Sequence, residues 1–153
     1  MTPVLETKYV FTITAHVGEV TTAGEIGHGV RRIIPITGGE VRGKNVNGKV
    51  CAFGADFQII RPNELIELEA KYAFETDDGA TVYVENRGIR FGPVDLLQKL
   101  TRGEPVDPQL IYCRTVPRFE TGHANYRWLM ENLFVASVAR HADRVVIDVH
   151  QVL

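Results

Sequence analysis

LIELEAKYAFETDDGATVYVEN, residues 65–86, carries the pattern that decides the fold. Ile66, Leu68, Ala70, Tyr72 and Phe74 fall on one face, and Glu67, Glu69, Lys71 and Glu75 on the other. A period of two with charge on one side describes a strand with one face in a core and one in water. Asp78-Gly79 then supplies a hairpin dipeptide, predicting a type I′ turn in which both central residues take positive φ. Thr81 to Asn86 returns as the partner strand.

The same alternation runs through Leu5 to Ala15, where Leu5, Tyr9, Phe11, Ile13 and Ala15 oppose Glu6, Lys8, Thr12 and Thr14. Further strands are predicted at Val30–Ile36, Lys49–Phe53, Phe57–Ile60, Leu110–Val116, Asn125–Ala139 and Arg144–Val152. Glycines at 38, 39, 43, 48 and 54 lie between the apolar runs, where bends and bulges are expected. Pro93 to Thr101 alone reads as helix, with proline in its first turn and Gly103 just past its end. Many strands, one short helix and no linker predict one all-β domain over residues 1–153. Along Tyr126 to Arg140 both faces of the expected strand are apolar. A closed or nearly closed antiparallel barrel hides one face and removes the edges, and covering the other face predicts a homo-oligomer.

Composition removes several classes of function. A chain of 153 residues with net charge −2 has no basic field for nucleic acid or anionic lipid. At this length it buries roughly 68–70% of its unfolded surface and needs no disulfide or metal to fold. Cys51 and Cys113 have no metal-type spacing, and no two of the five histidines stand at i, i+2 or i, i+4, so no metal site is expected. There is no phosphate-binding glycine loop, no dinucleotide fingerprint and no nucleophile elbow, so no cofactor is expected. No apolar run spans a bilayer and no leader is legible, which predicts a cytoplasmic protein without membrane contact.

The candidate site lies in Tyr112 to Trp128, YCRTVPRFETGHANYRW, read as two strands joined by a loop over Pro117–Asn125. Tyr112 and Arg114 share a face, as do Tyr126 and Trp128, and together they predict a pocket with aromatic walls and a fixed cation. Asp56, after Gly54-Ala55, and Glu120 are the candidate acid and base, and Arg114 with Arg61 would stabilise an anion. Tyr72, Tyr112, Tyr126 and Trp128 would hold a ring. Asp77 and Asp78 belong to the hairpin turn, and His28 and His123 read as solvated loop residues.

Ile36-Thr37-Gly38-Gly39, Gly54-Ala55-Asp56-Phe57, Thr76-Asp77-Asp78-Gly79-Ala80, Arg114-Thr115, Phe119-Glu120-Thr121, Tyr126-Arg127-Trp128-Leu129 and Leu133-Phe134-Val135 follow one another along the chain. Together they resemble the bacterial and fungal family known as domain of unknown function 3237, or uncharacterised protein family 0311. The resemblance implies a small antiparallel β-barrel and gives special status to Phe119-Glu120-Thr121. It implies no named reaction.

Two functions fit these residues. One is a cofactor-independent isomerase, cyclase, lyase or hydrolase acting on a small cyclic or aromatic metabolite in the barrel lumen. The other is a carrier for a small hydrophobic or aromatic ligand. Catalysis requires Asp56, Glu120 and Arg114 to converge on one cavity, whereas their separation favours the carrier.

Overall fold

The computed structural model describes residues 1–153. The ten strands are β1 (Thr7–Val17), β2 (Thr21–Glu25), β3 (Val30–Gly43), β4 (Gly48–Val50), β5 (Ala55–Ile60), β6 (Ile66–Thr76), β7 (Thr81–Phe91), β8 (Tyr112–Glu120), β9 (Phe134–Arg140) and β10 (Arg144–Val152). All pair antiparallel, in the order β1-β10-β9-β8-β7-β6-β4-β3, with β5 also bridging β6 and β3. Pairing of β1 with β3, from Phe11↔Gly43 to Val17↔Ile36, closes the ring into an eight-stranded barrel.

β3 makes that closure possible. Its first half pairs with β2 and β5, and its second half with β1 and β4. On the edge shared with β5 and β4 the change falls between Pro35 and Glu40, a span that holds Gly38-Gly39, with φ of 150° and 133°. At Gly39 the β1 backbone comes so near that an added Cβ would collide with the carbonyl oxygen of Thr14. Extended backbone at such a φ is open to glycine and strained for other residues.

Helices α1 (Val94–Thr101) and α2 (Trp128–Glu131) complete the fold, with single 3-10 turns at Pro108–Leu110 and Ala124–Tyr126. The first helix matches the sequence reading. The second overturns part of it, since the strand expected from Asn125 begins only at Phe134. Tyr126 and Leu129, three residues apart, are buried together, so the apolar spacing here is helical. β8 in turn continues through Pro117 to Glu120. It pairs with β9 only at Arg114↔Ser137 and Thr115↔Ala136, so Pro117 lies beyond that ladder. The hairpin at Asp78-Gly79 also differs in kind. Gly79 N–H donates to Thr76 O, and only Gly79 in the loop has positive φ, which makes a three-residue loop ending in a left-handed glycine.

The lumen is filled unevenly. Toward the 121–133 end, Phe11, Phe74, Phe119 and Phe134 pack with ring centroids 5.4 to 6.4 Å apart. Burying each such ring contributes about 1.5–3 kcal/mol. Tyr126 and Leu129 plug the same end, and the Tyr126 hydroxyl donates to Asp78 Oδ1 at 2.7 Å, latching the plug to the β6–β7 hairpin. Thr76 also donates to Asp78, and the two hydrogen bonds hold that carboxyl at about 2.

Gly39→Ala is predicted to destabilise the barrel by more than about 1 kcal/mol, with Gly38→Ala milder because nothing stands near its Cβ position. Thermal melts of the two variants check the order.

Candidate functional site

Inward-facing side chains change character along each strand. On β7 the inward series runs Val82, Val84, Asn86, Arg90; on β8, read from its far end, Phe119 gives way to Thr115 and Cys113; on β9 Phe134 and Ala136 lead to Val138 and Arg140. The end near α1 is therefore polar and incompletely filled. It holds a small cavity open to solvent, with Asp56, Tyr72, Arg90 and Arg140 on its walls. Ala15, Ile36, Val138, Val145 and Ile147 supply an apolar side. Position in the strand period places each group: Gln58 follows Asp56 by two on β5, and Tyr72 precedes Phe74 by two on β6.

Asp56 is the only carboxylate on the wall. Its Oδ2 accepts from Gln58 Nε2 at 2.8 Å and its Oδ1 from the Glu69 backbone N–H at 3.0 Å. Burial nonetheless pushes its pKa above the usual carboxylate range, against the opposing pull of those hydrogen bonds and of the Arg90 and Arg140 charges. Tyr72 is fully enclosed. Burial, with the Asp56 charge second, raises its hydroxyl further from ionisation, so it stays a neutral donor at ordinary pH.

Five buried side-chain atoms have no hydrogen-bond partner within the protein: Gln58 Oε1, Tyr72 Oη, Asn86 Oδ1, Arg90 Nε and Thr115 Oγ1. All five residues line this one cavity. Each unsatisfied group costs about 1–3 kcal/mol, so five in one place amount to a polar surface shaped for something else to complete.

Arginines crowd the mouth. Arg90 is 5% exposed, and Arg32 stands on the inward face of β3 opposite Gln58. Burial first, then repulsion from Arg90 and Arg32, lowers Arg140 to about 10. Arg32 is lowered for the same two reasons, burial and Arg90.

The sequence profile described as "Protein of unknown function (DUF3237)" matches residues 5–152. This chain belongs to the DUF3237 family. A UPF0311 protein of Rhodopseudomonas palustris is 81% identical over the full length of both chains. A crystal structure of a conserved protein of unknown function from the same species is 79% identical, with a TM-score of 0.95 over 99% of this chain and 100% of that one. A crystallised enzyme from Penicillium herquei, 16% identical, shares the fold with a TM-score of 0.74 over 100% of this chain and 98% of that one.

Of the residues singled out in the sequence, the DUF3237 barrel brings Asp56 and Tyr72 together in the cavity and leaves the others outside it. Glu120 and Arg114 are on the outer face of β8, because residues 113, 115 and 119 take the inward positions of that strand. The expected convergence of Asp56, Glu120 and Arg114 therefore does not occur. Tyr112 is outward too, its ring 5.3 Å from the Arg114 guanidinium. Arg61 pairs with Glu67 at 3.0 Å in an exposed position. Tyr126 belongs to the plug, and Trp128 packs on Phe134 at 6.0 Å.

Sequence reading missed Gln58, Asn86, Arg90, Thr115 and Arg140. A signal existed for two of them. Continuing the β7 alternation past Asn86 puts Arg90 on the Val82 face, and the β9 alternation puts Arg140 on the Ala136 face.

The folded chain keeps the Asp56 proton to higher pH than the unfolded chain does, so it binds more protons between the two pKa values. Stability attributable to Asp56 is accordingly greatest in acid and is lost as pH rises through the folded pKa. Carbon-detected NMR should show the Asp56 carboxyl titrating above the ordinary aspartate range, and Asp56→Asn should remove this component from the pH dependence of the melting temperature.

Proposed function

We propose that this DUF3237 barrel is an enzyme that moves a proton on a small organic molecule held in the hollow half of its lumen. One observation carries the reading: a carboxyl of raised pKa shares a cavity with every buried polar atom that lacks a partner. A single carboxylate on the wall narrows the chemistry to reactions in which one group both takes and returns the proton. Isomerisation and ring closure are of that kind, and neither calls for a group beyond those the chain supplies.

In the isomerisation form, the Asp56 carboxylate removes a proton from a carbon beside a carbonyl. The C–H electron pair passes into the carbon skeleton and the carbonyl oxygen becomes an enolate oxygen. Tyr72, kept neutral by burial, donates a hydrogen bond to that oxygen. The protonated Asp56 then returns its proton at a different carbon, which balances the reaction. Gln58 fixes the carboxylate through its 2.8 Å hydrogen bond and so holds the base in place. That the same barrel serves a fungal enzyme supports the reading at the level of fold.

A carrier is the second reading, and the separation of Glu120 and Arg114 from Asp56 favours it. Solvent exchange separates the two. In heavy water, small enolisable cyclic and acyclic carbonyl compounds that raise the melting temperature should exchange carbon-bound hydrogen for deuterium. Asp56→Asn should slow that exchange by about 10²–10⁴-fold while still binding the compound. The rate in the unsubstituted protein should fall on the acid side, through an inflection above the ordinary aspartate range. Binding without exchange by every such compound would establish the carrier.

A further inference from the structure

The charges at the cavity do not balance. Arg32, Arg90 and Arg140 face one aspartate, and none of the three takes part in any of the chain's ion pairs. Elsewhere Arg42, Arg61, Arg87, Arg102 and Arg144 each sit against a carboxylate, and Arg114, Arg118 and Arg127, which have none, are exposed to water. At the cavity the most enclosed guanidinium has neither a carboxylate nor access to water. Arg140 turns one nitrogen to the carbonyl oxygens of His141 and Arg144, which fixes its stem on the β9–β10 turn. Arg90, 5% exposed, has an Nε without any partner.

An enclosed cation without a counter-charge is among the costlier things a fold can keep, and clustering it with two others adds repulsion. Asp56 does not resolve this, because it brings one negative charge against three positive ones and forms an ion pair with none of them. The arc of the same cavity formed by β10, β1 and β3 is aliphatic, running from Val145, the partner of Arg140 across the β9–β10 ladder, through Ile147 and Ala15 to Ile36. Two kinds of wall in one small space call for a ligand with two kinds of surface.

We infer that the lumen takes a small carboxylate with a compact apolar body, its anionic end held between Arg90 and Arg140 and its body against the Ala15–Ile36–Ile147 wall. A planar carboxylate suits guanidinium forks, which donate two parallel hydrogen bonds to it. The enclosed part of the cavity is small, which limits the body to roughly one ring or a short branched chain. The inference rests on the lumen being the reacting site and adds the charge of what enters it. With the carboxylate anchored at the arginines, a reacting carbon further along the ligand lies toward Asp56 and Tyr72, which keeps anchor and chemistry on separate groups.

Isothermal titration with matched pairs tests this: benzoate against benzamide, and cyclohexanecarboxylate against its amide, with phenyl phosphate and inorganic phosphate as further probes. The carboxylates should bind about tenfold or more tighter than the amides, and Arg90→Met or Arg140→Met should each remove that preference. Arg118→Met, on the outer face of β8, should leave it unchanged, and increasing salt should weaken the carboxylates and not the amides. If Arg90→Met does not fold, Arg90→Lys should retain the charge preference at reduced affinity and Arg140→Met carries the comparison. Equal binding of acid and amide, no binding of either carboxylate, tighter binding of the phosphates, or a loss in Arg118→Met matching that in Arg140→Met overturns the inference. Deuterium exchange on neutral carbonyl compounds reads out separately. Exchange with no carboxylate preference leaves the proton-transfer reading standing with a neutral substrate, and carboxylate binding with no exchange does the reverse.

Discussion

Arg90 is held inside the barrel with no carboxylate at ion-pairing distance, and much of the design answers to that one side chain. A guanidinium cannot shed its proton at physiological pH, so the chain must tolerate the charge or find it company. Asp56 lies near enough for its charge to be felt, yet desolvation outweighs the attraction and its pKa rises. The consequence is a cavity in tension, where burial favours protonation of a carboxylate beside cations that oppose it. Stability spent in this way at one place, while the rest of the interior is satisfied, is the usual mark of a site kept for function.

The other half of the lumen offsets that cost. The four phenylalanines and the Tyr126–Leu129 plug make a dry core, and the Tyr126–Asp78 latch keeps the 121–133 segment against the hairpin. Closure by β1 on β3 joins the two halves into one ring, so rigidity at the filled end positions the walls of the hollow one. Tyr72 belongs to both, buried in the hydrophobic core and also lining the cavity. A change in the core at that position would therefore reach the site directly.

Legibility followed period-two patterns. The all-β class, the β6–β7 hairpin, α1 and closure into a barrel were readable because alternation over residues 65–76 and 5–15 is unambiguous, and an all-β chain of this size with two-sided strands favours a barrel. Asp56 and Tyr72 were reached from local chemistry. The error at 125–133 came from applying the strand period to a segment whose buried pair, Tyr126 and Leu129, repeats every three residues. Glu120 and Arg114 were misplaced for a different reason: composition made Tyr112 to Trp128 conspicuous, but facing is set by parity, and Cys113, Thr115 and Phe119 hold the inward parity. Arg90 was missed because its strand, expected to end at Asn86, runs five residues further to Phe91. A polar atom without a partner has no signature in sequence at all, since it depends on what the other strands of the barrel bring near it.

A crystal structure of the protein grown with benzoate tests the account most directly. The account predicts the ring in the hollow half of the lumen, its carboxylate between Arg90 and Arg140, with Asp56 and Tyr72 facing it from the same cavity. Benzoate bound instead on the outer face at Arg114 and Tyr112, or a lumen closed by its own side chains with no ligand inside, would contradict it.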